Sequence, residues 1–220
     1  MSHQIKGSTA VVTGGQRGLG KAIVDELLAR GATKVYATSR SPEPSADPRV
    51  VVVQAEVTDA DSVARLAELA SDATIVVNNA GVLGGRSLLQ SDFDEIRSVL
   101  ETNYFGALRV TRAFAPQLAG GTLVNIASVL SWLPGSGAYG VSKAALWSAN
   151  NSLRLELQGQ DTDVVGVYLG YTDTSMVADL DVPKNDPADV ARQIVDGIES
   201  GADEVLADEL TRRARVGAFA

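Results

Sequence analysis

Short apolar runs alternate with longer stretches of helical periodicity along the whole chain. The first run, residues 8–13, enters a glycine-rich turn, after which Ala22, Ile23, Leu27 and Leu28 recur at helical spacing until Gly31. Residues 34–39 and 50–53 predict a second and a third strand, separated by a loop that Pro42, Pro44 and Pro48 mark. A helix is expected over 59–71, with Asp59 or Asp61 as its N-cap, followed by a fourth strand over 74–78. One long helix is predicted over 92–118, with Pro116 near its end. A fifth strand over 121–127, a helix over 139–158 and a sixth strand over 164–169 follow. Asp186 and Pro187 open what reads as the last helix, ending near 200, and residues 204–207 offer a short final strand.

Strands that are apolar throughout must be covered on both faces, and strands alternating with helices pair in parallel. The pattern therefore predicts an α/β fold, a doubly wound parallel sheet in a three-layer α/β/α arrangement. No repeat, low-complexity segment or dividing linker interrupts it, so residues 1–220 are expected to form one domain.

Composition narrows the function. Of the 220 residues, 19 are Lys or Arg and 27 Asp or Glu, a net charge of −8, which argues against nucleic acid or an anionic membrane as partner. No apolar run approaches the roughly 18 residues of a membrane span, and the opening residues lack a signal-peptide core. The chain has no cysteine, which excludes disulfides and thiol nucleophiles and fits a reducing compartment; a cytoplasmic location is expected. The single histidine, His3, reads as a solvated tail residue. Zinc chemistry on His and Cys ligands is hard to assemble, and a Ser-His-Asp triad would have to recruit that terminal residue. No metal site is expected. Proton chemistry falls to Tyr, Lys, Ser or carboxylates.

Tyr139 and Lys143 stand four residues apart in a predicted helix, on one face. A free phenol has a pKa of about 10, and an adjacent ammonium lowers it. That pairing makes a general acid/base without histidine. Near the N-terminus, Gly14, Gly18 and Gly20 lie between the first strand and its helix, where backbone amides can approach a pyrophosphate. At the end of the second strand, where an NAD site usually carries Asp or Glu, the chain has Thr38, Ser39 and Arg40. Arg17 and Arg40 together suit a ribose 2′-phosphate, which favours NADP(H).

Thr13-Gly-x-x-x-Gly18-x-Gly20, Asn78-Asn-Ala-Gly81, Asn103, Ser128 and Tyr139-x-x-x-Lys143 together resemble the short-chain dehydrogenases/reductases, over almost the whole chain. The resemblance implies a Rossmann fold with Asn103, Ser128, Tyr139 and Lys143 as catalytic residues. Tyr139 would exchange the proton, Ser128 would hydrogen-bond the substrate oxygen, and Lys143 would bind the nicotinamide ribose and lower the tyrosine pKa. Asn103 would hold a water linking Lys143 to solvent. It assigns Gly14, Gln16, Arg17, Gly18, Leu19, Gly20, Ser39 and Arg40 to the cofactor, with Glu56 and Val57 near adenine and Asn79, Ala80 and Gly81 along its length. Gly170, Thr172 and Thr174 resemble the segment that holds the nicotinamide carboxamide. Leu169 replaces the proline usual there, leaving the backbone less pre-set. Ser128 precedes Tyr139 by a slightly short connection, and Ser131 competes with it for the serine role. The substrate lid is expected around 174–187, short enough to leave the site open.

Leu83, Trp132, Leu133, Tyr171, Met176 and Val177 are expected as pocket walls, implying an apolar or aromatic carbonyl or alcohol substrate. Ala107, Val110, Ala113, Phe114, Leu146, Trp147 and Ala149 offer more apolar positions than one sheet-facing stripe needs. They predict a homo-oligomer, tetramer or dimer, assembled through the helices near 92–118 and 139–158. Residues 208–220 have few core residues and are expected either as a subunit contact or as a solvated tail. The leading function is an NADPH-dependent carbonyl reductase. Alternatives are a dehydrogenase acting mainly in oxidation of secondary alcohols, or a non-catalytic NADPH-sensing protein.

Overall fold

The computed structural model describes residues 4–218; His3 and the end of the C-terminal segment, 219–220, lie outside them. Its sheet has seven parallel strands in the order β3-β2-β1-β4-β5-β6-β7. They are β1 (Thr9–Val12), β2 (Lys34–Ser39), β3 (Val50–Gln54), β4 (Ile75–Asn78), β5 (Thr122–Ile126), β6 (Asp163–Tyr168) and β7 (Glu204–Leu206). The apolar runs predict each of them to within two residues. Alternation along a strand sends neighbours to opposite faces: Ala10 and Val12 join one core, and Val11 the other.

Helices α1 (Gly18–Ala29) and α6 (Pro187–Ser200) cover the first face through Ile23, Leu27, Ile194 and Ile198. Arg30 ties them together, donating to Glu26 at 2.8 Å, Asp196 at 2.7 Å and Glu199 at 2.6 Å. Helices α2 (Ala60–Leu69), α4 (Ala107–Phe114) and α5 (Gly137–Leu157) cover the other face. Asp59, rather than Asp61, caps α2, accepting from the Asp61 backbone N–H.

The predicted helical stretch over 92–118 is continuous but not uniform. α3 (Phe93–Leu100) passes through a wide π-type turn, Glu101–Gly106, into α4, and Pro116 sits in a 3₁₀ turn after α4. Gly106 lets this turn lie close to the loop between β3 and α2: a Cβ there would meet Val57 Cγ2 at 2.8 Å. Such turns recur at functional sites, and this one carries Asn103.

Two further expectations change. The last helix is not the one opened by Asp186. Residues expected to be a tail or a subunit contact form α7 (Glu209–Gly217), capped by Asp208. Its Thr211 is fully buried, and Arg215 pairs with Glu204 while covering the Trp132 ring. Cap and ion pairs supply what apolar residues do not. Of the apolar positions assigned to an oligomer contact, Ala107, Val110, Phe114 and Leu146 are buried within the chain. The outward apolar residues of these helices are instead Phe93, Phe105, Val141 and Leu155. No helix of the described residues is long and apolar enough to cross a membrane.

A line of buried amides crosses the sheet. Asn78 Nδ2 donates to Asn125 Oδ1 at 2.8 Å, Asn125 Nδ2 to Asn150 Oδ1 at 2.6 Å, and Asn150 Nδ2 to Tyr168 Oη at 3.4 Å. Gly166 leaves room for the last pair, because a Cβ there would lie 2.6 Å from Tyr168 Oη and 2.8 Å from Asn150 Nδ2. Gly166→Ala is therefore expected to cost about 1–3 kcal/mol by overpacking. Gly159→Ala, at an open position, should stay within about 0.5 kcal/mol. Urea denaturation of the two variants checks this; equal stabilities would show that the amide line tolerates displacement.

Candidate active site

β1 and β4 are adjacent in the sheet, and the chain winds away from them in opposite directions. That switch point places the glycine turn and the 78–81 segment together at the carboxyl ends of the strands, the usual crevice of such sheets. Thr13 and Asn79 join them. Thr13 Oγ1 accepts from the N–H of Asn79 at 2.9 Å and of Ala80 at 3.0 Å, and Asn79 Nδ2 donates to Thr13 O at 2.9 Å.

The glycine turn has the properties of a phosphate cradle. Gly14 and Gly18 have positive φ, and a Cβ at Gly20 would lie 2.2 Å from Gly14 O. α1 begins with no side-chain cap and no acidic residue in its first turn, so its positive end is open to an anion. Arg17 and Arg40 are exposed and, among the described residues, make no salt bridge. On the far side, Thr174 lies against the turn: a Cβ at Gly18 would meet its methyl at 3.1 Å. Thr172 Oγ1 is buried and has no hydrogen-bond partner among the described residues. Open amides and an exposed guanidinium at the turn, a second guanidinium just after β2 and an orphaned hydroxyl just after β6 fit a dinucleotide carrying an extra phosphate.

Other assigned residues are placed differently. Leu19 and Val57 bury their side chains in the two cores, which leaves only backbone toward the crevice, and Arg109 occupies Val57 O. Gln16 exchanges two hydrogen bonds with the Glu43 backbone, at 2.5 and 3.0 Å, and so straps the glycine turn to the loop after β2. Ser39 Oγ donates to Ser41 O and accepts from its N–H. The Glu56 carboxylate folds back onto the Thr58 N–H at 3.1 Å. With Arg40 and Arg65, Glu56 lines a cavity of about 430 Å³ at the edge of the sheet. Gly81 abuts Asn103, with Oδ1 3.2 Å from where a Cβ would stand.

Tyr139, Ser128 and Lys143 come together. α5 starts at Gly137, after Ser136 in the left-handed region, and a Cβ at Gly137 would strike the backbone of Gly85 and Arg86. Lys143, one turn on from Tyr139, is buried; its Nζ donates to Ile126 O at 2.7 Å and lies 5.5 Å from the Tyr139 ring centre. Ser128 follows β5 and hydrogen-bonds the Tyr139 phenol. Ser131, its competitor, donates to Lys143 O at 2.9 Å and is thereby engaged in structure.

The surroundings of Asn103 and of the Tyr139 phenol are also defined. Asn103 spends its amide on Val82, accepting from the N–H at 2.8 Å and donating to the carbonyl at 2.9 Å, and also donates to Ser142 Oγ at 3.0 Å. It clamps the strand-four loop to α5. The Tyr139 pKa nevertheless lies above the ordinary phenol value. Burial pushes the phenol up to about 12, against the hydrogen bond from Ser128, and pulls Lys143 down to about 8. Desolvation, which disfavours both charged forms, outweighs their attraction.

The pocket walls also divide. Val177 is buried, whereas Leu83 and Leu133 are half-buried and Tyr171 and Met176 exposed. Trp132 packs on Tyr168, ring centres 4.5 Å apart, beneath Arg215 of α7. Ser142, Asn125 and Asn150 support the site but went unnoticed in the sequence. A small polar residue inside a helix and lone amides carry no periodic signal.

Comparison with known proteins agrees with this geometry. A family model described as short chain dehydrogenase matches residues 8–185. The chain is 36% identical over 200 residues to 1-deoxy-11-beta-hydroxypentalenate dehydrogenase of Streptomyces avermitilis, covering 81% of this chain and 73% of that protein. It is 30% identical to the NADP-dependent (R)-specific alcohol dehydrogenase of Lentilactobacillus kefiri, covering 82% of this chain and 79% of that one. A short chain dehydrogenase from Burkholderia cenocepacia, solved in complex with NADP, superposes with a TM-score of 0.93 at 37% identity, covering 99% of this chain and 95% of that one.

The pKa shifts predict how stability follows pH. Between about 8 and the ordinary lysine value of 10.5, the unfolded chain binds a proton at residue 143 that the folded chain does not, so stability rises with pH. Above about 10 the unfolded tyrosines ionise while Tyr139 and Tyr168 hold their protons to about 12. The folded chain then binds more protons and stability falls. Lys143→Met should remove the rise and, net of the lost Ile126 hydrogen bond, stabilise the ligand-free protein at pH 7 by about 1–2 kcal/mol while abolishing turnover. Thermal melting of both proteins from pH 7 to 10 checks this; parallel curves would contradict it.

Proposed function

The chain belongs to the short chain dehydrogenase family, oxidoreductases acting on hydroxyl and carbonyl groups, and we propose that it is an NADPH-dependent carbonyl reductase. NADP(H) is its cofactor, in keeping with the NADP named for its relatives and with Arg17, Arg40 and the absence of a carboxylate at Ser39. The observation that carries this reading is the meeting of Tyr139 with Ser128 and Lys143, whose Nζ lies 5.5 Å from the Tyr139 ring centre, so that a phenol can pass its proton to a substrate oxygen. A proton donor must carry its proton at the working pH.

Bound NADPH supplies the hydride that reduces the carbonyl carbon. Tyr139 delivers the proton to the oxygen as charge develops there, and Ser128 stabilises that oxygen by hydrogen bonding. Lys143, below its pKa of about 8, keeps a positive charge beside the phenol and favours the phenolate left by proton transfer. The half-buried Leu83 and Leu133 and the exposed Tyr171 and Met176 favour an apolar or aromatic carbonyl substrate. Outward Phe105, Val141 and Leu155 support assembly into a homo-oligomer, and the cysteine-free, acidic composition fits a cytoplasmic setting.

Tyr139→Phe tests the assignment. Turnover should fall about 10²–10⁴-fold, with NADPH binding unchanged by fluorescence titration, and a variant with wild-type kcat refutes the role. Cofactor choice is a second check. Each charge-assisted bond to a 2′-phosphate contributes about 1.5–3 kcal/mol, so kcat/KM should favour NADPH over NADH by roughly tenfold or more. Arg40→Ala or Ser39→Asp should erode that preference. Equal values in the wild type would defeat the cofactor assignment.

A further inference from the structure

Asp208 occupies a position that a helix cap alone does not explain. Its Oδ1 accepts from the Thr211 N–H and Oγ1, both at 2.8 Å, which satisfies the first turn of α7. Its Oδ2 faces the other way. It accepts from the Gly170 N–H at 2.6 Å and from Asn185 Nδ2 at 2.9 Å.

Those two donors are the two sides of one neck. Asn185 accepts from the Asp173 N–H at 2.9 Å and donates its own N–H to Tyr171 O at 2.8 Å, a short bridge beside Thr172. The segment from Thr174 to Lys184 leaves and returns through that bridge. Just before it, Leu169 O accepts from the Val129 N–H at 2.9 Å, next to Ser128. Gly170 has no side chain to pin it, and a Cβ there would stand 3.3 Å from Asp208 Oδ2. Thr172, whose buried hydroxyl has no partner among the described residues, is the residue bridged to Asn185.

We infer that Asp208 is a positioning residue: its Oδ2 fixes the 170–173 segment and the base of the lid in the geometry that receives the cofactor. Serine or asparagine could cap α7, but only a carboxylate offers a second acceptor oxygen to both neck donors. The carboxylate stays ionised: burial opposes this, but the four hydrogen bonds hold it below the usual carboxylate range. It acts through Gly170 and Asn185 and touches no reacting atom. The inference rests on the reading of the chain as an NADPH-dependent reductase.

Asp208→Asn is the test, because it is isosteric and separates the two duties. Its amide oxygen can still cap α7, while its Nδ2 would oppose the two neck donors. The full-length variant should raise the KM for NADPH about tenfold, the equivalent of one charge-assisted hydrogen bond, with kcat within about threefold of wild type. Without ligand, amide hydrogen exchange should quicken at 170–173 and 185 but not across 209–217. Thr211→Val, which touches only the cap side, should change neither KM nor exchange at the neck. Unchanged exchange at 170–173 in Asp208→Asn overturns the inference, as does loss of kcat and KM together with faster exchange across α7. Should the wild type fail to oxidise NADPH, the proposed function fails, while exchange of the ligand-free protein still decides for or against the Asp208 tie.

Discussion

Burying the Lys143 ammonium is the constraint on which the site depends. Taking an ammonium out of water costs several kcal/mol even after relaxation, and this structure offsets it with one strong acceptor, Ile126 O at the end of β5. The backbone of the same residue is held from the other side, where Ser131 Oγ bonds Lys143 O. Residue 143 therefore ties α5 to the end of β5 and to the turn that follows it. Tyr139, one helical turn earlier, is thereby fixed against Ser128. The geometry of the acid/base group follows from where a buried charge can find a partner.

The surrounding sheet serves that placement. The order β3-β2-β1-β4-β5-β6-β7 opens a crevice between the β1 and β4 ends, braced by Thr13 and Asn79. The asparagine line from Asn78 to Tyr168 spans β4, β5, α5 and β6, so the helix carrying Tyr139 is registered by hydrogen bonds as well as by apolar contact. Directional polar links inside a core favour one arrangement among several of similar apolar burial. The π-type turn at Asn103 adds a clamp from the strand-four loop.

Much of this is legible in the chain. The strands show because each is a short apolar run, α1 because its apolar positions recur at helical spacing up to Gly31, and α2 and α6 because theirs follow an aspartate cap. Glycines with positive φ announce the crevice. What stays hidden depends on long-range partners. Nothing local tells that Asn125 meets Asn150, that Gln16 straps a loop, or that Lys143 finds Ile126 O. α7 escapes notice because Asp208 and Arg215 order it through polar ties, leaving no apolar stripe to read. The Tyr139 pKa is misjudged from sequence for a related reason: adjacency predicts attraction, but burial, which adjacency does not reveal, has the larger effect.

Lys143 and Tyr139 thus form a protonated pair poised to donate, with the lysine charge lost above about pH 8. The pH dependence of kcat/KM for NADPH, measured between pH 7 and 10 at saturating carbonyl substrate, tests this most directly, because kcat/KM reports groups of the free enzyme. The account predicts a plateau that falls as pH passes through about 8. A value rising with pH across that range would mean that an ionised tyrosine drives the reaction, and would contradict it.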